Sequence, residues 1–241
     1  MQDWEKLREQ HQSMSEEEKQ ERDKKILAQR EEKERIRQEK EREKESERQR
    51  AYFNSLPKRF KDASFENFIG PENDRKKVEK LTGGVLYGSN GNGKTHLGYS
   101  ACRKIVQSGK TAQLIKAYDF FNEVKREFNN PQTSGETIKR YSDLDYLVID
   151  ECDKIYGSQT EYLSLINLIG KRYDEELPTL VISNCEDLKE LVSIISLSCV
   201  DKLRDGENIR MVHDEKDVKG VYKSKRGKEE QLQLKQKGVN K

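Results

Sequence analysis

An apolar run that leads directly into a glycine-rich octapeptide limits the possible folds of this chain more than any other feature. Gly84-Val-Leu-Tyr87 has the composition of a buried strand, and Gly88-Ser-Asn-Gly-Asn-Gly-Lys-Thr95 follows at once. Glycines at these positions let backbone N–H groups surround phosphate oxygens, the lysine reaches the β- and γ-phosphates, and the threonine hydroxyl can hold Mg²⁺. A helix beginning near Thr95 would add the positive end of its dipole. The pattern predicts an ATP or GTP site, and the flanking strand and helix weigh against the alternative, a glycine-rich turn that matches by chance.

Strand-like and helix-like runs alternate through the middle of the chain, which indicates an α/β fold with a parallel sheet and helices on both faces. Tyr146–Ile149 and Leu180–Ile182 are apolar throughout, as in strands that are buried on both sides. The expected elements are, in order, Val85–Tyr87, Thr95–Gln107, Ala112–Lys116, Tyr118–Phe128, Asp145–Asp150, Glu161–Tyr173, Thr179–Ser183, Leu188–Ile195 and a last strand, Ile209–His213. Nucleotides bind at the carboxyl ends of the strands in such sheets.

Two of these strands end in side chains that suit phosphate chemistry. Asp150 and Glu151 follow the strand that begins near Tyr146, so Asp150 can join Thr95 in holding Mg²⁺ while Glu151 polarises a water. Asn184 follows the strand that begins at Thr179, where it can hydrogen-bond either that water or the γ-phosphate. A solvated turn or a helix cap would explain each feature alone. Their order after the P-loop favours a functional role for both, and the glutamate that follows the aspartate favours hydrolysis of the nucleotide.

The two ends of the chain differ from its middle in composition. Residues 15–50 contain 13 acidic and 13 basic residues and almost no aliphatic ones, so they cannot form a core. Glutamates three residues before a base, and a Ser15/Glu18 capping box, predict a solvated helical rod, with a partly disordered polyampholyte as the alternative. Residues 216–241 carry nine Lys or Arg against three acids, which is typical of a flexible basic tail. The predicted domains are therefore an extension over 1–50, an ATPase domain over 51–215 and a tail over 216–241.

The composition argues against several classes of protein. Charged residues make up 38% of the 241-residue chain, the net charge is only +2, and no apolar run could span a bilayer. The four cysteines have no metal-finger spacing, so we expect reduced structural thiols in a cytoplasmic protein without a membrane partner. A short face of Trp4, Leu7, His11 and Met14 could dock on a partner or fold back on the chain itself.

Longer stretches of the sequence resemble the AAA+ ATPases of the DnaC/DnaI type, the bacterial and phage loaders of the replicative helicase, with similarity to IstB-like ATP-binding proteins. The resemblance covers about residues 55–215, and only 28 residues follow the predicted last strand, too few for the usual helical AAA+ lid. It rests on four segments, Lys58-Arg-Phe-Lys-Asp-Ala-Ser-Phe-Glu-Asn-Phe68, Leu81-Thr-Gly-Gly-Val-Leu-Tyr-Gly-Ser-Asn-Gly-Asn-Gly-Lys-Thr-His-Leu97, Asp145-Tyr-Leu-Val-Ile-Asp-Glu151 and Pro178-Thr-Leu-Val-Ile-Ser-Asn184.

The resemblance implies roles for individual residues. Asp150 and Glu151 form Walker B, with Asp150 and Thr95 on the metal, and Asn184 is sensor 1. Where the family commonly has Asp-Arg-Leu, with an arginine that acts in trans on a neighbouring subunit's ATP, this chain has Asp201-Lys-Leu-Arg204, so we expect Lys202 or Arg204 to act in trans, or the ATPase to be feeble. Walker A is expected to bind the nucleotide through Gly88, Ser89, Asn90, Gly91, Asn92, Gly93, Lys94, Thr95 and His96.

The resemblance also implies partners and an activity. It predicts an ATP- and Mg²⁺-dependent loader of the hexameric replicative helicase onto single-stranded DNA, with slow, DNA-stimulated hydrolysis, self-association through the ATPase domains, and helicase docking through residues 1–50. Lys116, Lys125 and Arg126 are candidate DNA contacts, with Tyr118 and Phe120 as stacking partners, unless the bases are a solvated helix face and the aromatics are core. An accessory ATPase of a transposition system and a nucleotide-dependent adaptor are the alternative functions.

Overall fold

The computed structural model describes residues 15–128, 135–155 and 157–211. The chain divides into two compact units, with the division between Ser55 and Leu56. The face predicted from Trp4 to Met14, the tail over 216–241 and the end of the predicted last strand lie outside the described residues. Among the described residues, no helix combines the length and the apolar character that crossing a membrane requires.

The first unit contains one helix, α1 (Glu16–Ser55), which has no buried residue. The predicted capping box begins it: Ser15 N–H donates to Glu18 Oε2 at 2.9 Å, and Glu18 N–H donates to Ser15 Oγ at 3.3 Å. Ion pairs one turn apart support it, including Arg35 with Glu32 at 2.8 Å. Of the two alternatives for this segment, the structure has the helix, and it ends at Ser55 rather than near residue 50.

The second unit is a single sheet with helices. Its helices are α2 (Glu72–Glu79), α3 (Lys94–Gln107), α4 (Ala117–Phe128), α5 (Glu136–Ser142), α6 (Gln159–Asp174), α7 (Leu188–Ile195) and α8 (Leu197–Leu203). Its strands are β1 (Gly84–Tyr87), β2 (Ala112–Lys116), β3 (Tyr146–Asp150), β4 (Thr179–Ile182) and β5 (Glu207–Arg210). The strand order is β2-β3-β4-β1-β5, and every pair is parallel. The predicted α/β class with a parallel sheet is confirmed.

The sheet order places the predicted site. β1 lies between β4 and β5, with β3 next to β4, so the segments after β1, β3 and β4 emerge at one edge of the sheet. Leu147, Val148 and Val181 are completely buried, in agreement with strands covered on both faces. The P-loop, the Asp-Glu pair and the asparagine, far apart in sequence, are thus brought to the same carboxyl edge.

Two parts of the element prediction are wrong. The last strand runs over Glu207–Arg210 and not over Ile209–His213, because Glu207 pairs with Gly84 at the start of β1 and Arg210 with Tyr87 at its end. Helices α2, α5 and α8 were not predicted. Helix α2 has a single buried residue, Val78, and α5 and α8 have only seven residues each, too few turns to establish a periodic pattern.

A buried arginine joins several of these elements. Arg172 is 0% exposed, and its guanidinium donates to Thr179 Oγ1 and to the backbone carbonyl oxygens of Tyr141, Ser142, Leu144 and Pro178 at 2.6–3.1 Å. Burial lowers its pKa to about 10, so it remains charged at neutral pH. The side chain therefore connects α6 to the segments that enter β3 and β4 and fixes the sheet at the edge opposite the P-loop.

Candidate functional site

The loop between β1 and α3 has the backbone that its glycines predict. Gly88 has φ +124° and Gly93 has φ +80°. A Cβ atom at Gly88 would come within 2.4 Å of the carbonyl oxygen of Met211, so a larger residue cannot be accommodated there. Ser89, Asn90 and Gly91 form the exposed tip, and α3 begins immediately after Gly93. The N–H groups of the first turn of α3 therefore lie at the loop, as an anion site requires.

Lys94 lies inside this loop. Its side chain is buried, and its ammonium donates to the carbonyl oxygens of Gly88 and Ser89, both at 2.7 Å. Burial lowers the pKa of Lys94, while the nearby carboxylates of Asp150 and Asp153 oppose that shift. Phosphate oxygens are stronger partners for an ammonium than carbonyl oxygens are, so an arriving triphosphate has a cation that is already positioned to receive it.

Two other members of the octapeptide region have structural contacts. Asn92 Nδ2 donates to Ser89 Oγ at 3.1 Å and to the carbonyl oxygen of Met211 at 2.6 Å, so its side chain ties the loop to the end of β5. His96 Nε2 lies 2.9 Å from the carbonyl oxygen of Ser64, and its ring packs against Phe68. These side chains shape the loop, and a contact of either with the nucleotide stays a prediction.

The two predicted Mg²⁺ ligands, Thr95 and Asp150, join α3 to β3. Thr95 Oγ1 donates to Asp150 Oδ2 at 2.8 Å, and Glu151 N–H donates to Asp150 Oδ1 at 2.8 Å. Asp150 is 3% exposed, and burial raises the pKa of its carboxyl group. A hydroxyl and a carboxylate in contact are the hard oxygen donors that suit Mg²⁺, which usually completes its shell with water and substrate phosphates.

Glu151 has an unusual backbone conformation, and its side chain is already ion-paired. Its backbone has φ +59°, a left-handed conformation that is unusual for a residue with a side chain. Its Oε1 atom accepts from Lys116 Nζ at 3.1 Å and from Lys154 Nζ at 3.2 Å. Lys116, at the end of β2, is therefore paired with the predicted catalytic glutamate rather than free for DNA.

Asn184 has a partner that sequence reasoning missed. Its backbone N–H donates to Asp153 Oδ1 at 2.9 Å, and its side-chain nitrogen lies 3.1 Å from both carboxylate oxygens of Asp153. Asp153 belongs to a 3₁₀ turn, Cys152–Lys154, directly after the Asp-Glu pair. Only the pairing of β3 with β4 brings the two residues together, so no local pattern could have indicated this contact.

Lys202 and Arg204 lie at the other edge of the sheet. Both residues precede β5. The first residue of β5 pairs with the first residue of β1, whereas the P-loop follows the last residue of β1. Lys202 Nζ lies 5.3 Å from the ring centre of Tyr173 and borders a cleft of about 550 Å³, and Arg204 pairs with Asp201 at 3.3 Å. The structure does not bring either residue to the P-loop of its own chain.

The predicted DNA contacts separate into two groups. Phe120 is 0% exposed, so of the two alternatives for this aromatic residue, DNA stacking or core, the structure has the core. Lys125 pairs at 2.6 Å with the buried Glu161. Tyr118 is 52% exposed and Arg126 is exposed, so these two remain accessible to a partner.

Comparison with known proteins agrees with this geometry. The family model described as IstB-like ATP binding protein matches residues 5–230, which is most of the chain. The replicative helicase loader DnaC of Escherichia coli (strain K12) is 27% identical over 143 residues, covering 57% of this chain and 58% of that protein. DnaC of Buchnera aphidicola subsp. Acyrthosiphon pisum is 23% identical over 170 residues, covering 65% of this chain and 69% of that protein. The match thus spans little more than half the length of the E. coli relative.

Solved structures have the same fold. A crystal structure of the DnaC helicase loader superposes with a TM-score of 0.58 at 18% identity, covering 66% of this chain and all of that one. AMPPCP-bound DnaA from Aquifex aeolicus gives 0.57 at 21% identity, covering 74% of this chain and 56% of that one. The five-stranded parallel sheet therefore has the fold of these DnaC and DnaA structures. From the family match over residues 5–230, the chain belongs to the IstB-like ATP-binding proteins.

Proposed function

We propose that this chain is an ATPase that loads the hexameric replicative DNA helicase onto single-stranded DNA when replication begins. The observation that carries the proposal is the convergence of Lys94, Thr95 and Asp150, with Thr95 and Asp150 in direct contact at 2.8 Å. The names of the DnaC relatives support the loading role, and the family description supports ATP as the nucleotide.

ATP binding depends on groups that the P-loop already presents. Lys94 would exchange its two carbonyl partners for the β- and γ-phosphates, and the N–H groups of the loop and of the first turn of α3 would hold the remaining oxygens. Thr95 and Asp150 would hold Mg²⁺, which when bound neutralises charge that develops on the phosphates. Asp150→Asn should weaken the Mg²⁺ dependence of ATP binding, measured by calorimetry with and without the metal.

Hydrolysis requires Glu151 to accept a proton from water. The carboxylate of Glu151 is already paired with both Lys116 and Lys154, so these contacts compete with a water for the same oxygen atom. A ligand that attracts either lysine, such as a DNA phosphate, would release Glu151. We therefore expect Lys116→Ala to raise ATP turnover without DNA and to reduce its stimulation by DNA, and a variant with unchanged basal turnover would contradict this control of Glu151.

Arg204 or Lys202 would act on the ATP of a neighbouring subunit. Their position at the sheet edge opposite the P-loop suits a contact made in trans. The test mixes two inactive variants. Arg204→Ala keeps an intact P-loop, and Lys94→Ala keeps an intact Arg204 that can act on it. Recovery of ATPase activity in the mixture is expected, and if Arg204→Ala and Lys202→Ala both leave DNA-stimulated hydrolysis unchanged, the trans role is wrong.

The helicase would dock on residues 1–50, which include most of α1. The test is a pull-down of the host replicative helicase with the full chain and with a chain lacking residues 1–50, each with and without ATP. We expect the shortened protein to bind ATP but not helicase. Helicase association at full strength without residues 1–50 would exclude this docking model.

Single-stranded DNA would contact the exposed part of α4. Tyr118 can stack on a base and Arg126 can pair with phosphate, since both side chains are accessible. Tyr118→Ala should weaken the binding of a fluorescent oligonucleotide, measured by anisotropy. Tyr162→Ala, which removes a tyrosine that is 39% exposed on α6, is the matched control and should leave binding unchanged.

An accessory ATPase of a transposition system is the second candidate, because the matching family is named after IstB. Such a protein would use the same nucleotide site with a transposase as its partner. Co-purification of a transposase instead of the helicase would favour this candidate over the loader.

A further inference from the structure

Three hydrogen bonds join Asn184 to Asp153 beside the nucleotide loop. The backbone N–H of Asn184 donates to Oδ1 of Asp153 at 2.9 Å, and the side-chain nitrogen lies 3.1 Å from each carboxylate oxygen. Both side chains are half-buried. Asp153 is also close enough to Lys94 to favour the charged ammonium, although burial is the larger effect on the pKa of Lys94.

These contacts fix the direction of the Asn184 amide. An ionised carboxylate only accepts hydrogen bonds, so the nitrogen of the amide must face Asp153. Since the amide group is planar, its oxygen then lies on the side away from that carboxylate. Within the part of the chain that the structure describes, no group donates to Asn184 Oδ1. The amide oxygen is therefore an acceptor that Asn184 can offer to a further partner.

We propose that Asp153 is a positioning residue for ATP hydrolysis: it holds the Asn184 amide so that its oxygen receives a hydrogen bond from the attacking water. A γ-phosphate has only acceptor oxygens, so it cannot bond to the amide oxygen, whereas water can. On this proposal the amide oxygen of Asn184 contacts the water, one of the two partners that the sequence left open. The inference rests on the proposed hydrolysis and does not depend on helicase loading.

The step that this arrangement assists is an in-line displacement. The water oxygen forms a bond to the γ-phosphorus, and the bond from the γ-phosphorus to the β–γ bridging oxygen breaks, so that ADP leaves with the bonding electron pair. One water proton passes to the carboxylate of Glu151, and the other O–H remains hydrogen-bonded to Asn184 Oδ1. Asp153 touches none of the reacting atoms and acts through Asn184 alone.

Kinetics of single and double variants test the proposal. Asp153→Ala and Asn184→Ala should each lower kcat about 10- to 100-fold, as expected for a misplaced nucleophile, while the Kd for ATP changes less than about twofold. The double variant should be no slower than Asn184→Ala. Asp153→Asn, whose side-chain oxygen can still accept from Asn184, should recover part of the activity. The matched control is Asp187→Ala, because Asp187 also accepts a backbone N–H, from Glu190 at 2.8 Å, and its loss should leave kcat unchanged.

Nuclear magnetic resonance of the Asn184 side-chain NH₂ group gives a readout that does not need turnover. The Asn184 signals are identified as the pair that disappears in Asn184→Ala. In the wild type these signals should lie away from the usual amide positions, and in Asp153→Ala they should return to them. Addition of ADP or of a non-hydrolysable ATP analogue should shift them equally little. A large shift with the analogue alone would place the amide nitrogen on the γ-phosphate and overturn the proposal.

The remaining outcomes are also decisive. Unchanged kcat in Asp153→Ala, or losses that multiply in the double variant, would overturn the positioning role. A wild-type protein that binds ATP without hydrolysing it would overturn the inference together with the proposed ATPase activity. A wild-type protein that hydrolyses ATP with the expected variant pattern but does not load helicase would support the inference and remove only the loading role.

Discussion

The helix α1 and the sheet unit differ in what stabilises them. All 40 residues of α1 lack burial, and its supporting contacts join residues three or four positions apart. In the sheet unit, contacts such as the one between Asn92 and Met211 join residues 119 positions apart, and strands β3 and β4 are buried at every position. Exposed pairs contribute little each, whereas buried apolar groups contribute several kcal/mol. A charged extension can therefore be helical without contributing buried residues to a core.

The largest difference in stability is expected when a leucine is replaced by alanine once in the sheet unit and once in α1. Leu147 is 0% exposed in β3, and Leu27 is 57% exposed in α1. Leu147→Ala should lower the free energy of unfolding by about 3–5 kcal/mol, because it leaves a cavity in the core. Leu27→Ala should change it by less than about 0.5 kcal/mol. Urea titration followed by near-ultraviolet circular dichroism measures the free energy of unfolding of both variants. Equal losses of stability would contradict the difference between α1 and the sheet unit.

A pair of arginines gives the next largest effect. Arg172 is buried and donates to five acceptors, whereas Arg35 is exposed on α1 and pairs with Glu32. Arg172→Met should destabilise the sheet unit by about 2–3 kcal/mol, because buried carbonyl groups lose their donors. Arg35→Met should have no measurable effect on thermal unfolding. A stable Arg172→Met protein would show that neighbouring groups or water replace the guanidinium.

The start of α1 should respond more weakly and only locally. Ser15 accepts from Glu18 N–H at 3.3 Å, and Ser15→Ala removes this cap, which is worth about 1 kcal/mol. Hydrogen exchange in the full chain should become faster in the first turn of α1 and stay unchanged in β1 and β3. Faster exchange in the strands would mean that α1 and the sheet unit unfold together.

Salt should give the smallest effect. The ion pairs of α1 are exposed, so raising NaCl from 0.1 to about 0.5 M should screen them and modestly speed amide exchange in the middle of α1. The sheet amides should keep their exchange rates, because burial does not depend on screening. Slower exchange in α1 at high salt would indicate that contacts other than ion pairs support the helix.

Local patterns accounted for most of what could be predicted. The P-loop, the Asp150 strand and the Asn184 strand were predicted because an apolar run followed by a particular polar residue is a property of neighbouring positions. The sheet order then brought them to one edge, as the strand rule requires. The capping box at Ser15 was predictable for the same reason, since it depends on two residues only three positions apart.

The missed features depend on contacts between distant residues. Asp153 meets Asn184 across 31 positions, and Lys116 meets Glu151 across 35, so their partners are set by strand pairing and not by spacing. Arg172 is a charged residue in a helical run, and nothing in its neighbourhood distinguishes it from a solvated arginine until the fold surrounds it. Phe120 was considered for DNA stacking because exposure cannot be read from one aromatic residue.

Calorimetric titration of MgATP into the folded full-length protein tests the central claim most directly. The account predicts saturable heat for the wild type, its loss in Lys94→Ala, and unchanged binding in Lys189→Ala, which removes an exposed lysine on α7. No heat from the folded wild-type protein, or equal heat from Lys94→Ala, would contradict a triphosphate site formed by Lys94, Thr95 and Asp150.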